Sequence, residues 1–329
     1  MNNITGRLEK EEKSYAKIEN KLKSLPSIFS EYYVSMRANR KSYTTINTYL
    51  DDALHFVRFA TKGNMTDDFY KHISSYNVEE YMISLERRQT KDGIKRTGDD
   101  ILQTRWSALN CFFSWLVKRG HIDTNPILMV DRPKNQTEHK VVYLTKVEIN
   151  KLYKAISNNP SEVMALRDKT FVALALSTAL RISAILNINI DNIDFDNNTI
   201  SVIEKRQKVR SISFGEQTKR VLQEWISVRN EAFDDVDTTA LFLSQKKNRL
   251  SEDAVSSMLD KYCKEAGIKR ITPHKLRATA SCMMAKNNIP VKAIAKQLGH
   301  AQIATTMRYI DVFNEDEEKA MNVLDGLVQ

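Results

Sequence analysis

The stretch Thr272-Pro-His-Lys-Leu-Arg277 has the composition of a helix start. Threonine is a good N-cap and proline suits the first helical position, so His274 and Arg277 fall three apart on one face of the first turn. An anion is at home there, because the free amides and dipole of a helix amino end attract phosphate and a guanidinium adds a permanently charged, bidentate clamp. The same fragment reads equally as a capped surface helix. Leu180-Arg181-Ile182-Ser183 puts a second cation at the end of an apolar helix, where burial demands a protein carboxylate or a bound phosphate; alone it reads better as a structural ion pair. Lys205, Arg206, Lys208 and Arg210 crowd a hairpin tip, a pattern that by itself is usually just solvated. Gln297-Leu-Gly-His300 sets a histidine after a helix-ending glycine, and Tyr309 is one of twelve tyrosines that would ordinarily belong to a core.

Helices must position these residues. From Ile28 to about Val130 apolar residues recur at three- and four-residue spacing, as in Ile46, Tyr49, Leu50, Ala53, Leu54, Phe56, Val57 and again in Trp106, Leu109, Phe112, Phe113, Leu116. Between two of these helices, residues 89–99 hold two glycines with Lys91, Lys95 and Arg96, which predicts a loop whose tip touches DNA backbone. Asn125-Pro126 stops the last helix, and 131–140 has no apolar period. Thr145 and Glu148 have capping-box spacing, an apolar helix is expected from about Asp168 to Ala179, and Thr199–Ile203 with Val209–Phe214 reads as a β-hairpin. The expected organisation is a charged N-terminal extension (1–26), a helical domain (27–130), a linker (131–142), a mixed α/β domain (143–313) and a terminal helix (314–329) with Ala320, Val323, Leu324 and Leu327 on one stripe. The fold class is mainly α with a small β-hairpin.

Composition narrows the function. Fifty Lys and Arg against 41 Asp and Glu give a net charge of +9, which favours a polyanionic partner. The surplus is broad: residues 1–140 carry +5, residues 141–310 carry +9 and residues 311–329 carry −5. Cys111, Cys263 and Cys282 lack CxxC spacing, so neither a disulfide framework nor a zinc site is expected. No apolar run spans a bilayer and no leader follows Met1, which predicts a soluble cytoplasmic protein with no membrane partner. The nine glycines form neither GxxxxGK[ST] nor GxGxxG, so no nucleotide cofactor is indicated.

Taken as an ordered set, these residues resemble one family. Thr178-Ala-Leu-Arg-Ile-Ser183, Ile203-Glu-Lys-Arg-Gln-Lys-Val-Arg210, Thr272-Pro-His-Lys-Leu-Arg-Ala-Thr279, Gln297-Leu-Gly-His300 and Thr305-Thr-Met-Arg-Tyr309 are similar to the motifs of the tyrosine recombinases, or phage integrases. Ser42-Tyr-Thr-Thr-Ile-Asn-Thr-Tyr49 and Ser107–Leu116 resemble that family's core-binding domain, so the likeness covers about residues 27–313. Ala184 stands where the family usually has an acidic residue, Glu204 and Arg206 flank Lys205 where small residues are usual, and Ala278 stands where a histidine is common.

The resemblance implies a metal-free, cofactor-free DNA strand transferase. In it Tyr309 attacks phosphorus to form a 3′-phosphotyrosine, Arg181 and Arg277 hold the non-bridging oxygens, and Lys205, favoured by spacing over Lys208, protonates the departing 5′-hydroxyl. His274 assists proton movement and His300 hydrogen-bonds the phosphate. It implies a homotetramer, or a tetramer with a related recombinase subunit, working through a Holliday junction on double-stranded DNA with inverted-repeat sites. Integration or excision of a mobile element and resolution of replicon dimers are both open. Residues 1–26 are too short for an arm-binding domain, so a simple-site type is expected. Arg40, Lys41, Thr44, Thr45 and Arg105 are candidate DNA contacts. The rivals are a type IB topoisomerase-like enzyme, against which the small chain speaks, and a DNA-binding protein with a decayed site, against which the intact set of six speaks.

Overall fold

A computed structural model describes residues 5–90, 93–134, 141–203, 209–300, 302–307 and 309. The chain divides into two compact units, Met1–His139 and Lys140–Gln329.

The first unit is helical: α1 (Thr5–Leu22), α2 (Ser27–Ala38), α3 (Tyr43–Ala60), α4 (Ser75–Glu86) and α5 (Asp99–Lys118). The apolar periods of α2, α3 and α5 converge on one core, in which Phe29 stacks on Phe112 (5.6 Å, 3°) and on Phe69 (5.7 Å, 15°). Such aromatic contacts add specific geometry to bulk burial. The charged run near the amino end forms α1, and its Ile18 is fully buried in this core. Residues 89–99 differ from the expected loop: Arg87–Thr90 (β1) and Gly93–Arg96 (β2) pair as an antiparallel ribbon between α4 and α5. After α5, the Asn125 side chain accepts from the amide of Ile127 and so caps a short 3-10 turn opened by Pro126.

The second unit runs α6 (Lys146–Ser157), α7 (Glu162–Thr178), α8 (Ile182–Leu186), β3 (Ile193–Asp194), β4 (Thr199–Ile203), β5 (Val209–Ser213), α9 (Glu216–Ala232), α10 (Glu252–Glu265), α11 (Pro273–Lys286), α12 (Val291–Leu298) and α13 (Ala304–Met307). The Thr145–Glu148 capping box forms as its spacing predicts, with reciprocal bonds of 2.8 and 3.2 Å. The expected hairpin pairs Thr199↔Ser213 through Ile203↔Val209, and β3 joins it to give the order β3-β4-β5. Its tip, residues 204–208, lies outside the described residues, as does the stripe from Ala320 to Leu327.

Helix α7 starts six residues earlier than its apolar run suggests, because Arg167 and Asp168 are inside it and buried. It packs against α6, α9 and α11, so it is covered on nearly all sides. Burial pushes the Asp168 carboxyl up, while the Arg167 guanidinium beside it pulls the other way. Arg167 meets that carboxylate at 2.7 Å and donates to the Leu243 carbonyl, and the Tyr262 hydroxyl donates to the second carboxylate oxygen at 2.8 Å. Removing one partner of a buried pair strands the other charge. Asp168→Ala is therefore expected to lower stability by about 3–5 kcal/mol, read from urea unfolding, whereas breaking the surface pair of Lys264 and Asp260 should change it little.

Candidate active site

Three places in the second unit meet at one cavity: the junction of α7 with α8, the start of α11, and the segment from the end of α12 through α13. Each has a local cause. Helix α7 ends in a left-handed residue, Ala179 (φ 53°), and the chain then turns so that Arg181 is the N-cap residue of α8. Helix α11 opens with Thr272 at the cap position and Pro273 in the first turn, although the threonine side chain makes no capping bond. Helix α12 ends at Gly299 (φ 63°), a left-handed position that glycine occupies without steric cost, and His300 follows it with its amide bonded back to the Ala295 carbonyl.

Arg277 joins the three. It is 2% exposed, and its guanidinium donates through Nη1 to the Ala179 carbonyl (2.7 Å) and through Nη2 to the Leu298 carbonyl (2.6 Å) and His300 Nε2 (3.1 Å). A guanidinium has no acceptor, so Nε2 is the acceptor and the neutral imidazole carries its hydrogen on Nδ1. That nitrogen donates to Thr306 Oγ1 at 2.8 Å. The Tyr309 ring stacks on His300 (6.5 Å, 20°), and its amide bonds to the Thr306 carbonyl at 3.0 Å.

The cavity, about 360 Å³, is lined by Arg181, His274, Arg277, His300, Gln302, Thr305 and Tyr309. Five of the six residues singled out for chemistry thus share one space, with the tyrosine 3% exposed. Lys205 lies outside the described residues. The hairpin that carries it is fastened nearby, since Arg210 on β5 donates to the carbonyls of Lys296 (3.1 Å) and Gln297 (2.6 Å) at the end of α12. Gln297 in turn donates to the Thr178 carbonyl at 3.1 Å. Arg210 is therefore an anchor of the hairpin and not only one of the charges at its tip, and Thr306 joins the site as a residue that the motifs do not single out. The signal for Thr306 was the pairing of two threonines ahead of Tyr309, because a fully buried hydroxyl needs a partner.

In the first unit, Arg40, Lys41 and Thr44 are exposed at the amino end of α3, and Thr45 is half-buried with its hydroxyl 2.8 Å from that of the cap residue Ser42. Arg105 is on α5, where Nη1 donates to the Tyr81 hydroxyl (2.8 Å) and lies 3.7 Å from Asp52. Burial pushes the Asp52 carboxyl up, against the pull of Arg105, and lowers His55, with Arg105 and Arg58 adding to the effect. Arg105 thus has partners inside its own unit. Among the described residues no group of His, Cys, Asp and Glu is arranged to hold a metal ion, and no helix is long and apolar enough to cross a membrane.

The chain is 29% identical over 308 residues to tyrosine recombinase XerC of Caldanaerobacter subterraneus subsp. tengcongensis, covering 89% of this chain and 84% of that protein. It is 32% identical over 209 residues to tyrosine recombinase XerC of Mannheimia succiniciproducens, covering 63% and 69%. Among solved structures it is similar to the XerH site-specific recombinase bound to palindromic difH substrate in a post-cleavage complex (TM-score 0.73, 19% identity, 96% of this chain and 90% of that one). It is also similar to the Tn1549 transposon integrase in complex with a circular intermediate DNA (TM-score 0.69, 18% identity, 89% and 98%), and both likenesses express a shared fold. The class so defined is the tyrosine recombinases, enzymes of site-specific DNA recombination. Within it the chain belongs to the phage integrase family, whose sequence profile matches residues 142–316.

The Thr306 bond makes a direct prediction. Thr306→Val removes the hydroxyl that the half-buried His300 meets through Nδ1, a hydrogen bond worth about 0.5–1.5 kcal/mol. DNA cleavage should fall by up to about tenfold, while Thr306→Ser, which keeps the hydroxyl, should stay near wild type; single-turnover cleavage of a nicked substrate measures both.

Proposed function

We propose that this cavity cleaves and rejoins DNA strands through a covalent phosphotyrosine. The observation that carries the reading is the convergence of Arg181, His274, Arg277, His300 and Tyr309 on one cavity from three separated segments. The Tyr309 oxygen attacks phosphorus, the bond from phosphorus to the 5′-oxygen breaks, and Lys205 supplies the proton that makes the leaving group a 5′-hydroxyl. Arg181 and Arg277 stabilise the charge that grows on the non-bridging oxygens. Arg277 suits this role because two backbone carbonyls fix the plane of its guanidinium before substrate arrives, so little reorganisation is needed during reaction.

A free phenol ionises near pH 10, so the tyrosine proton needs an acceptor, and His274 stands at the cavity to assist its departure. His300 contributes differently. An entering phosphate competes for the Arg277 hydrogen that Nε2 now accepts, and once protonated the imidazole turns from acceptor to donor toward the phosphate. The covalent link conserves bond energy, and attack by another strand's 5′-hydroxyl reverses the step. Recombination then proceeds as a homotetramer, or with a related recombinase subunit, on two inverted-repeat sites through a Holliday junction. In the first unit, exposed Arg40, Lys41 and Thr44 at the start of α3 face DNA, with Thr45 and Arg105 as further candidate contacts.

Denaturing immunoprecipitation from cells should recover DNA covalently bound to the wild-type chain and none bound to Tyr309→Phe; an adduct that survives in Tyr309→Phe would overturn the assignment of the nucleophile. Lys205→Ala should slow cleavage by about 10²- to 10⁴-fold, the usual worth of a general acid. A substrate with sulfur at the 5′-bridging position should restore the rate, because a thiolate leaves without a proton. Lys208→Ala should behave as wild type, and the reverse pattern would move the acid to Lys208.

A further inference from the structure

The inward face of strand β5 ends on a charge. Exposure alternates along Val209–Ser213, so positions 210 and 212 share the face that the hairpin turns toward the unit. Ile212 and its partner Ile200 are buried in the core, and so is Val202 opposite Arg210. Val209, one residue farther out, is 69% exposed. The base of the hairpin is thus held by apolar packing, and at its far end an arginine takes over. Ile203, the last residue of β4, pairs with Val209 beside that arginine, and Lys205 follows Ile203 by two positions in the chain. Arg210 therefore stands at the root of the segment that carries Lys205.

Its two acceptors belong to the end of α12. Arg210 donates to the carbonyls of Lys296 (3.1 Å) and Gln297 (2.6 Å), and the next carbonyl, that of Leu298, receives Arg277 at 2.6 Å. Two guanidinium groups thus take three successive carbonyls of the last turn, where a helix leaves carbonyls unpaired and its potential negative. One guanidinium lines the cavity and the other fixes the hairpin, so a single helical turn sets the spacing between them. The end of α12 has other holds: Arg277 also bonds the Ala179 carbonyl, and the Gln297 side chain donates to the Thr178 carbonyl. Losing Arg210 would therefore free the far end of the hairpin while Arg277 keeps its own bonds. A planar fork shared between two carbonyls fixes angle as well as distance, which a single contact does not.

We propose that Arg210 is a positioning residue for strand cleavage: by fastening β5 to the last turn of α12 it brings the lysine of the hairpin to the departing 5′-oxygen. It touches neither the phosphate nor the nucleophile. This rests on the reading of a hairpin lysine as the acid that protonates the leaving group, and it holds whether that lysine is Lys205 or Lys208.

The experiment compares wild type, Arg210→Met and Arg210→Lys in the full chain, in single-turnover cleavage at saturating DNA. The substrate is a nicked duplex of the site recovered with the wild-type covalent adduct, made once with oxygen and once with sulfur at the 5′-bridging position. A misplacement of about 1 Å costs up to about 10²-fold, so Arg210→Met should cleave oxygen DNA roughly 10- to 100-fold more slowly and sulfur DNA at the wild-type rate. Its affinity for the duplex should be unchanged. Arg210→Lys keeps the charge but offers one head to two carbonyls, so its loss on oxygen DNA should be smaller and again absent on sulfur DNA; it carries the comparison if Arg210→Met fails to fold. Equal slowing on both substrates would overturn the proposal, because the defect would then lie in charge stabilisation or in the fold. So would wild-type cleavage of oxygen DNA, or a loss confined to affinity. Lys205→Ala and Lys208→Ala are run alongside: if sulfur rescues neither, the reading of a hairpin acid has failed, whereas rescue of one of them without rescue of Arg210→Met sinks the positioning role alone.

Discussion

The candidate site depends on one buried guanidinium. Arg277 is charged at every pH the protein meets, it is almost wholly withdrawn from solvent, and its bonds to the Ala179 and Leu298 carbonyls tie three separate segments to a common point. The carbonyls at the ends of helices α7 and α12 are the partial negative charges that a helix terminus leaves over. One cation thus satisfies both ends and is itself held in a single orientation. The strain of a left-handed alanine at position 179, about 1 kcal/mol, is tolerated because the Arg277 bond fixes the peptide that follows.

The same device recurs through the second unit. Arg167 donates to the Leu243 carbonyl, Arg210 to those of Lys296 and Gln297, Arg229 to those of Thr238 and Ala240, and Arg249 to those of Leu186 and Ile188. Arginine suits this use because its planar fork can serve several carbonyls at once. The net +9 of residues 141–310 is therefore partly structural, and formal charge overstates what this unit presents to DNA.

Much of this was legible in the residues and some was not. Helices α2, α3 and α5 announce themselves because one face is buried and the other wet, and α6 because Thr145 and Glu148 cap it reciprocally. The family motifs fixed attention on Arg181, His274, Arg277, His300 and Tyr309 because cation, helix start and spacing coincide there. Helix α7 blurred, since a helix covered on nearly all sides has no polar stripe and its Arg167 and Asp168 mimic a solvent face. In α1 the surrounding Lys and Glu concealed the core residue Ile18. The ribbon of residues 87–96 reads as a loop because two glycines and a charge run outweigh Ile94 in any local pattern. The contact of Thr306 with His300 is tertiary and has no periodic signature at all.

The bonds that assemble the cavity are also long in sequence. Arg277 reaches back 98 residues to Ala179, Gln297 reaches 119 to Thr178, and the Leu144 amide meets the Thr279 hydroxyl across 135. Contacts so remote form late in folding, after the loops between them have closed. A chain emerging from the ribosome completes its first unit and most of its second before the arginine at position 277 exists to be placed. The cavity we propose to cut DNA is thus completed only when synthesis is nearly finished, and an unfinished or truncated polypeptide lacks it.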